Sequence, residues 1–153
     1  MIPIWRLTKV NTVEKAFDGE GARLYGERWN QKGTPIVYTA STIALCALEV
    51  LVHVDSDLLP KLYLFKVEIP EEISVGDLEE ELPLNWRESP APEELQDIGT
   101  NWVKASETAL LRIPSAVIPF ESNFLLNPNH PDFRRFRIGK PELFEFDPRL
   151  RKQ

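Results

Sequence analysis

Residues 2–10 alternate, with Ile2, Ile4, Thr8 and Val10 on one side and Trp5 and Leu7 on the other, which predicts a strand. Asn11 and Glu14 stand at capping-box spacing ahead of a short helix over 11–17. The polar, glycine-ended run 30–33 predicts a turn, and the β-branched and aromatic run 36–39 predicts a strand. Ser41 is suited to cap a helix over 42–54, where no Gly or Pro intervenes. Ala44, Ala47, Leu48 and Leu51 on one side of that helix and Leu45 and Val52 on another predict burial all round. A turn-rich exit over 55–60 precedes a strand over 61–69, where Tyr63, Phe65, Val67 and Ile69 share a face. The acidic stretch 70–81 reads as exposed, with a turn at Gly76-Asp77. Leu95, Ile98 and Trp102 give a helix over 93–104, interrupted at Gly99. Strands return over 109–113, 116–118, 122–127 and 142–147, with a helix start at His130-Pro131. The sum is one α+β domain, 1–153, of short and mostly antiparallel strands with a few helices.

Within the stretch 23–53 three polar groups stand in an otherwise hydrophobic context: Arg28, Tyr38 and Glu49. Glu49 is the one carboxylate inside the 42–54 helix, and His53 follows one turn later on the same face. Burying a carboxylate costs several kcal/mol unless a partner compensates it. Glu49 is therefore either half of a structural pair, with His53 or an arginine such as Arg28, or a catalytic carboxylate at the floor of a pocket. Arg6 falls on the Ile4/Thr8 side of its strand and calls for an anion, either a structural carboxylate or a bound phosphate. Ser115, between Pro114 and a short apolar run, is either a turn hydrogen bond or a ligand contact.

Composition narrows the chemistry. The net charge of −6 argues against a nucleic-acid partner, and the basic cluster Arg134, Arg135, Arg137, Arg149, Arg151 and Lys152 reads as a solvated face or an oligomer contact. Cys46 is the single cysteine and there are two histidines, His53 and His130, so no intrachain disulfide, cysteine-based zinc site or histidine cluster can form, and no metal is expected. No leader pattern or membrane-length apolar run is present, which predicts a soluble cytoplasmic protein. Gly19-Glu20-Gly21 reads as a hinge into the central stretch; it superficially suggests a dinucleotide loop, but position 24 is Leu and no strand–loop–helix unit of the right shape surrounds it.

Six motifs in order then carry a resemblance: Gly26-Glu27-Arg28-Trp29-Asn30, Tyr38-Thr39-Ala40-Ser41, the segment 47–53, Pro114-Ser115-Ala116, Asn123 with 125–128, and Phe146-Asp147-Pro148-Arg149-Leu150. Together they resemble the RES-domain family over nearly the whole chain. The resemblance implies a fold similar to ADP-ribosyltransferase toxins. It implies a toxin of a bacterial toxin–antitoxin pair that depletes NAD, with an Xre-type helix-turn-helix antitoxin as partner. Some members are described instead as ADP-ribosylating a protein or as transferring ADP-ribose to phosphate. The implied catalytic positions are Arg28, Tyr38, Glu49 and Ser115, and the substrate-binding set is Arg6, Gly26, Trp29, His53 and Asn123. Phe124 departs from a common tyrosine and Phe120 from a common polar residue.

These residue types suit such a substrate. An arginine fork matches pyrophosphate oxygens, which fits Arg28 and Arg6. A tyrosine face attracts the cationic pyridinium, worth roughly 0.5–2 kcal/mol, which fits Tyr38. Trp29 offers the same face, with core packing as its alternative role. A fixed carboxylate, Glu49, stabilises the sugar cation that forms as the glycosidic bond breaks. Ser115 and Asn123 would orient the ribose or the amide. NAD is then a substrate and no true cofactor is expected. Phosphate as co-substrate, self-association into a homodimer and an antitoxin that occludes the pocket are the further expectations. The contrary reading is a non-catalytic binding module with Glu49 and His53 paired. A ribonuclease is disfavoured by the acidic balance and the lack of a histidine pair.

Overall fold

The computed structural model describes residues 1–54, 58–78 and 80–150. Strands β1 (Ile2–Thr8), β2 (Val37–Ala40), β3 (Leu62–Ile69), β4 (Val75–Asp77), β5 (Leu110–Pro114), β6 (Ser122–Leu126), β7 (Arg137–Ile138) and β8 (Glu142–Phe144) form one sheet. Its order is β4-β5-β6-β2-β1-β3-β7, with β8 also on β3; β4–β5 is parallel and the remaining pairs are antiparallel. Helices α1 (Val13–Ala16), α2 (Glu20–Tyr25), α3 (Ile43–Leu51) and α4 (Glu93–Ala105) complete the α+β architecture, with a 3-10 turn at Pro131–Arg135. Among the described residues, no helix is long and apolar enough to cross a membrane.

Alternation sorts the core. One face gathers Ile4, Phe17, Val37, Phe65, Val67, Phe124 and Leu126. The other carries two clusters: Leu7, Leu45, Cys46, Leu62 and Leu64 beneath α3, and Trp29, Ile36, Leu95, Leu111, Ile113 and Leu125 beneath α4. The sheet is not uniformly laced. β1 pairs with β3 along its whole length, from Ile2↔Ile69 to Thr8↔Tyr63, yet meets β2 only at Trp5↔Ala40. The ladder therefore parts between β1 and β2, and α3, entered directly from β2, packs over both strands.

Several elements differ from the pattern-based expectation. Thr42, not Ser41, caps α3, its hydroxyl accepting from Leu45 N–H at 3.1 Å. The helix ends at Leu51 and buries only Leu45 and Cys46, while Ala44, Leu48 and Val52 face solvent, so it is half-covered and not encased. Residues 19–21 are no hinge: Gly19, at φ +72°, caps α2, and Glu20 and Gly21 lie within it. Gly76-Asp77 is strand, not turn, because β5 supplies a parallel ladder. Gly99 does not interrupt α4. Residues 116–118 form a turn, not a strand. The expected capping box at Asn11 is absent, α1 being preceded by Thr12 with no side-chain cap. The basic cluster is threaded with acids, Arg135 pairing with Glu72 and Asp132 and Arg149 with Asp147. Arg151 and Lys152, with residues 55–57 of the expected exit turn, lie outside the described residues.

Cys46 lies on the buried face of α3, its thiol donating to the Trp5 carbonyl at 3.5 Å. Burial pushes the thiol from 9.0 up to about 11. The folded state thus keeps a proton that the unfolded chain releases first, so stability is full below the ordinary thiol range and falls as pH rises through that window. Each tenfold difference in proton affinity between the two states is worth about 1.4 kcal/mol. Urea unfolding from pH 8 to 11 should therefore show the wild type losing about 2–3 kcal/mol relative to Cys46→Ala. A pH-independent difference between the two proteins contradicts this account.

Candidate functional site

Glu49 lies on the α3 face turned toward the other half of the sheet. Its Oε1 accepts two hydrogen bonds, from the Ser115 hydroxyl at 2.7 Å and from Asn123 Nδ2 at 2.7 Å. Among the described residues no hydrogen bond reaches Oε2. The three residues come from α3, the turn after β5 and β6, and the ladder fixes their register through Ile113↔Asn123 and Ala40↔Asn123. Ser115 is wholly buried, and its oxygen accepts from Val117 N–H at 3.1 Å and Ile118 N–H at 3.0 Å. Its one proton is therefore committed to Glu49. Asn123 Oδ1 is buried without a partner. Turning the amide over would satisfy nothing and would set an oxygen against the carboxylate, so Glu49 dictates its orientation.

Tyr38, on β2, is locked by its hydroxyl. It donates to Asn30 Oδ1 at 2.6 Å and accepts from Trp29 N–H at 3.1 Å. Burial, then the negative charge of Glu27, holds the phenol well above its ordinary pKa, so it stays neutral. Asn30 is fully buried and its Nδ2 donates to the carbonyls of Ala22, Gln31 and Thr34. The loop between α2 and β2 is folded around this amide. Gly26, at φ +68°, closes α2 and turns the chain into that loop. Arg28 projects from the loop. Its Nη1 donates to the Trp86 and Glu88 carbonyls, both at 2.9 Å, and Arg87 Nε reaches the Ala116 carbonyl at 2.9 Å. Segment 83–88 therefore ties the Arg28 loop to the Ser115 turn. Partial burial lowers the Arg28 pKa, opposed first by the negative charge of Glu49.

Hydrogen bonds thus bring Glu49, Ser115 and Asn123 together, Tyr38 is tied to the Arg28 loop through Trp29 and Asn30, and the charge of Glu49 reaches Arg28. Arg6 is otherwise engaged: Nε donates to Ala16 O at 2.7 Å and Nη1 to Tyr38 O at 3.0 Å, over the Phe17 ring. Two carbonyl oxygens and a π face hold the guanidinium directly, and the carboxylate that acts on it, Glu27, does so without a hydrogen bond among the described residues. Burial lowers the Arg6 pKa against the opposing pull of Glu27. Trp29 is 2% exposed in the core beneath α4, so its ring packs and offers no open face. His53 is exposed in the turn after α3 and makes no hydrogen bond to Glu49, whose partners are Ser115 and Asn123. Asn30 and Glu27 are the residues that sequence reasoning missed. Glu27 is exposed as a residue, yet the surrounding protein partly desolvates its carboxyl and raises it, with Arg6 and then His53 opposing. Among the described residues, no group of three or more His, Cys, Asp or Glu side chains can hold a metal. An open charged cleft of about 450 Å³, lined by Met1, Pro70, Glu71, Glu72, Arg135 and Arg137, contains none of these site residues.

The RES domain family model matches residues 3–147. The chain is 39% identical over 150 residues to the protein named Toxin Res of Yersinia enterocolitica serotype O:8, covering 97% of this chain and 99% of that one. It is 38% identical over 152 residues to the Prs ADP-ribosylating toxin of a Sphingobium species, covering 95% and 94%. Among solved structures, a chain of the M. tuberculosis MbcT–MbcA toxin–antitoxin complex superposes with a TM-score of 0.76 at 18% identity, covering 97% of this chain and 85% of that one, a likeness of fold.

Removing the Tyr38 hydroxyl strands Asn30 Oδ1 and Trp29 N–H in the interior. Tyr38→Phe should therefore cost about 1–3 kcal/mol in urea unfolding. An unchanged midpoint shows that the phenol is not a structural bond.

Proposed function

Since the chain belongs to the RES-domain family, we propose that it is the toxin of a toxin–antitoxin pair and acts by cleaving the nicotinamide–ribose bond of NAD. The observation that carries this reading is the asymmetry of Glu49: Oε1 holds two donors and, among the described residues, Oε2 has none. A carboxylate held by one oxygen presents the other at a fixed position, which suits a positive charge that appears only during reaction.

The chemistry needs little else. As the C1′–N bond breaks, its electron pair returns to the pyridinium nitrogen and neutral nicotinamide leaves. The ribose gains oxocarbenium character, and Glu49 Oε2 stabilises it. A water or phosphate oxygen then bonds to C1′, and hydrolysis releases its proton to solvent. Arg28 keeps Nε and Nη2 for the pyrophosphate, since only Nη1 is used by Trp86 and Glu88. The Tyr38 ring, with its hydroxyl tied down, offers a face to the pyridinium. Ser115 and Asn123 serve by holding Glu49 and not as ligand contacts. An antitoxin partner fits the rim of the site, where Phe120 follows the Ser115 turn at 99% exposure and Leu84 stands fully exposed on segment 83–88.

Transfer of ADP-ribose to a protein is the second reading, favoured by the name of the Sphingobium relative. Labelled NAD separates the two: hydrolysis or phosphorolysis yields free ADP-ribose or its phosphate, while transfer marks a polypeptide.

Glu49→Gln tests the reading directly. The amide oxygen can keep both hydrogen bonds at the Oε1 position, so only the charge is lost. Nicotinamide release should fall by about 10²-fold or more, while the melting temperature stays within about 3 °C. A folded variant with wild-type release, or a wild type releasing none with or without phosphate, overturns the proposal.

A further inference from the structure

The loop that carries Arg28 is held from outside by one face of α4. Gln96 Nε2 donates to the Glu27 carbonyl at 3.0 Å, and Thr100 Oγ1 accepts from Gln31 N–H at 3.0 Å. Asp97 takes the side-chain amide of Gln31. Between these contacts sits Gly99, where any Cβ would overlap the Trp29 carbonyl oxygen. Residues 96, 97, 99 and 100 share a helix face by their spacing. They grip the chain at 27, 29 and 31, the positions that flank Arg28. Most of what they touch is backbone, so the grip sets where the loop lies irrespective of the side chains it bears. Gly99 and Thr100 are both buried, and neither contacts Glu49 or Tyr38 by any hydrogen bond.

We propose that this face of α4 is a positioning element for Arg28, with Gly99 and Thr100 as its principal residues, and that it sets the affinity for the anionic part of the substrate. The proposal rests on the NAD reading above for its ligand and on the loop geometry for its location. Gly99 fixes the distance, because α4 can approach the Trp29 carbonyl only where no side chain intervenes. Thr100 fixes the register along the helix, because its hydroxyl is the acceptor for a backbone N–H of the loop. A guanidinium that binds pyrophosphate equally in the ground and transition states changes KM and leaves kcat alone when it is displaced.

Thr100→Val keeps the shape and removes the acceptor, and Thr100→Ser restores it. In the full-length protein, Thr100→Val should raise KM for NAD about tenfold with kcat within about twofold, and Thr100→Ser should leave both within about twofold of wild type. Gly99→Ala should move KM in the same direction. Should these core variants fail to fold, Gln96→Ala, on the more exposed side of the face, carries the test with a KM increase of about threefold. Unchanged KM in the folded variants overturns the proposal, as does a loss confined to kcat. If the wild-type protein releases no nicotinamide, the activity reading is what has failed. The positioning role is then decided by the Arg28 Nε–H resonance in the NMR spectrum, which Thr100→Val should shift and Thr100→Ser should not; an unmoved resonance overturns it.

Discussion

Two donors on one oxygen of Glu49 are the constraint to which the remainder of this fold answers. The Ser115 hydroxyl and the Asn123 amide reach Oε1 from a turn and a strand far from α3 in sequence. Their convergence depends on the β5–β6–β2 ladder, where Ile113, Asn123 and Ala40 lie in register. A slip of one residue would turn Asn123 to the face now occupied by Phe124 and leave the carboxylate with one donor. Among the described residues Asn123 Oδ1 has no hydrogen-bond partner, so the orientation of this amide rests on its bond to Glu49.

Few groups in the site are left open, because most of its polar atoms are hydrogen-bonded. Ser115 uses its proton on Glu49 and its oxygen on two backbone N–H groups. Tyr38 commits its hydroxyl to Asn30 and Trp29, and Asn30 commits its amide to three carbonyls. Among the described residues, the site atoms left without a hydrogen bond are Glu49 Oε2, Asn123 Oδ1, and Nε and Nη2 of Arg28. Rigid neighbours hold each of them, the preorganisation that electrostatic stabilisation requires.

Much of the sheet was legible in the sequence because alternation survives where one face is buried. β3 and the β5–β6 pair follow it closely, and α4 follows its helical spacing. The failures have particular causes. α2 was hidden because the glycines at 19 and 21 read as a hinge, although Gly19 acts as a cap and Gly21 is tolerated within the helix. β4 is three residues long and owes its state to a parallel neighbour more than thirty positions away. Glu49 was identifiable as a carboxylate out of place, but its partners were not, for Ser115 and Asn123 become its neighbours only through the ladder. Asn30 looked like any turn residue; its role depends on Ala22, Thr34 and Tyr38 arriving around it.

Arg6 shows how the same site reaches across the gap in the sheet. At the parting of β1 from β2, the Tyr38 carbonyl receives the Arg6 guanidinium at 3.0 Å. A side chain there does what a neighbouring strand does elsewhere, and a second donor of the same guanidinium ties down the end of α1 at Ala16. A charged donor suits the task because its hydrogen bonds are stronger than those of a neutral amide. A fork with fixed spacing meets both carbonyls at once, which a lysine cannot do. The opening between the strands can thus persist without leaving that carbonyl unmatched, and Tyr38 stays anchored at its backbone by Arg6 and at its hydroxyl by Asn30. The arginine that the sequence offered as a ligand contact is thus engaged, in this structure, with two backbone carbonyls at the place where the sheet parts.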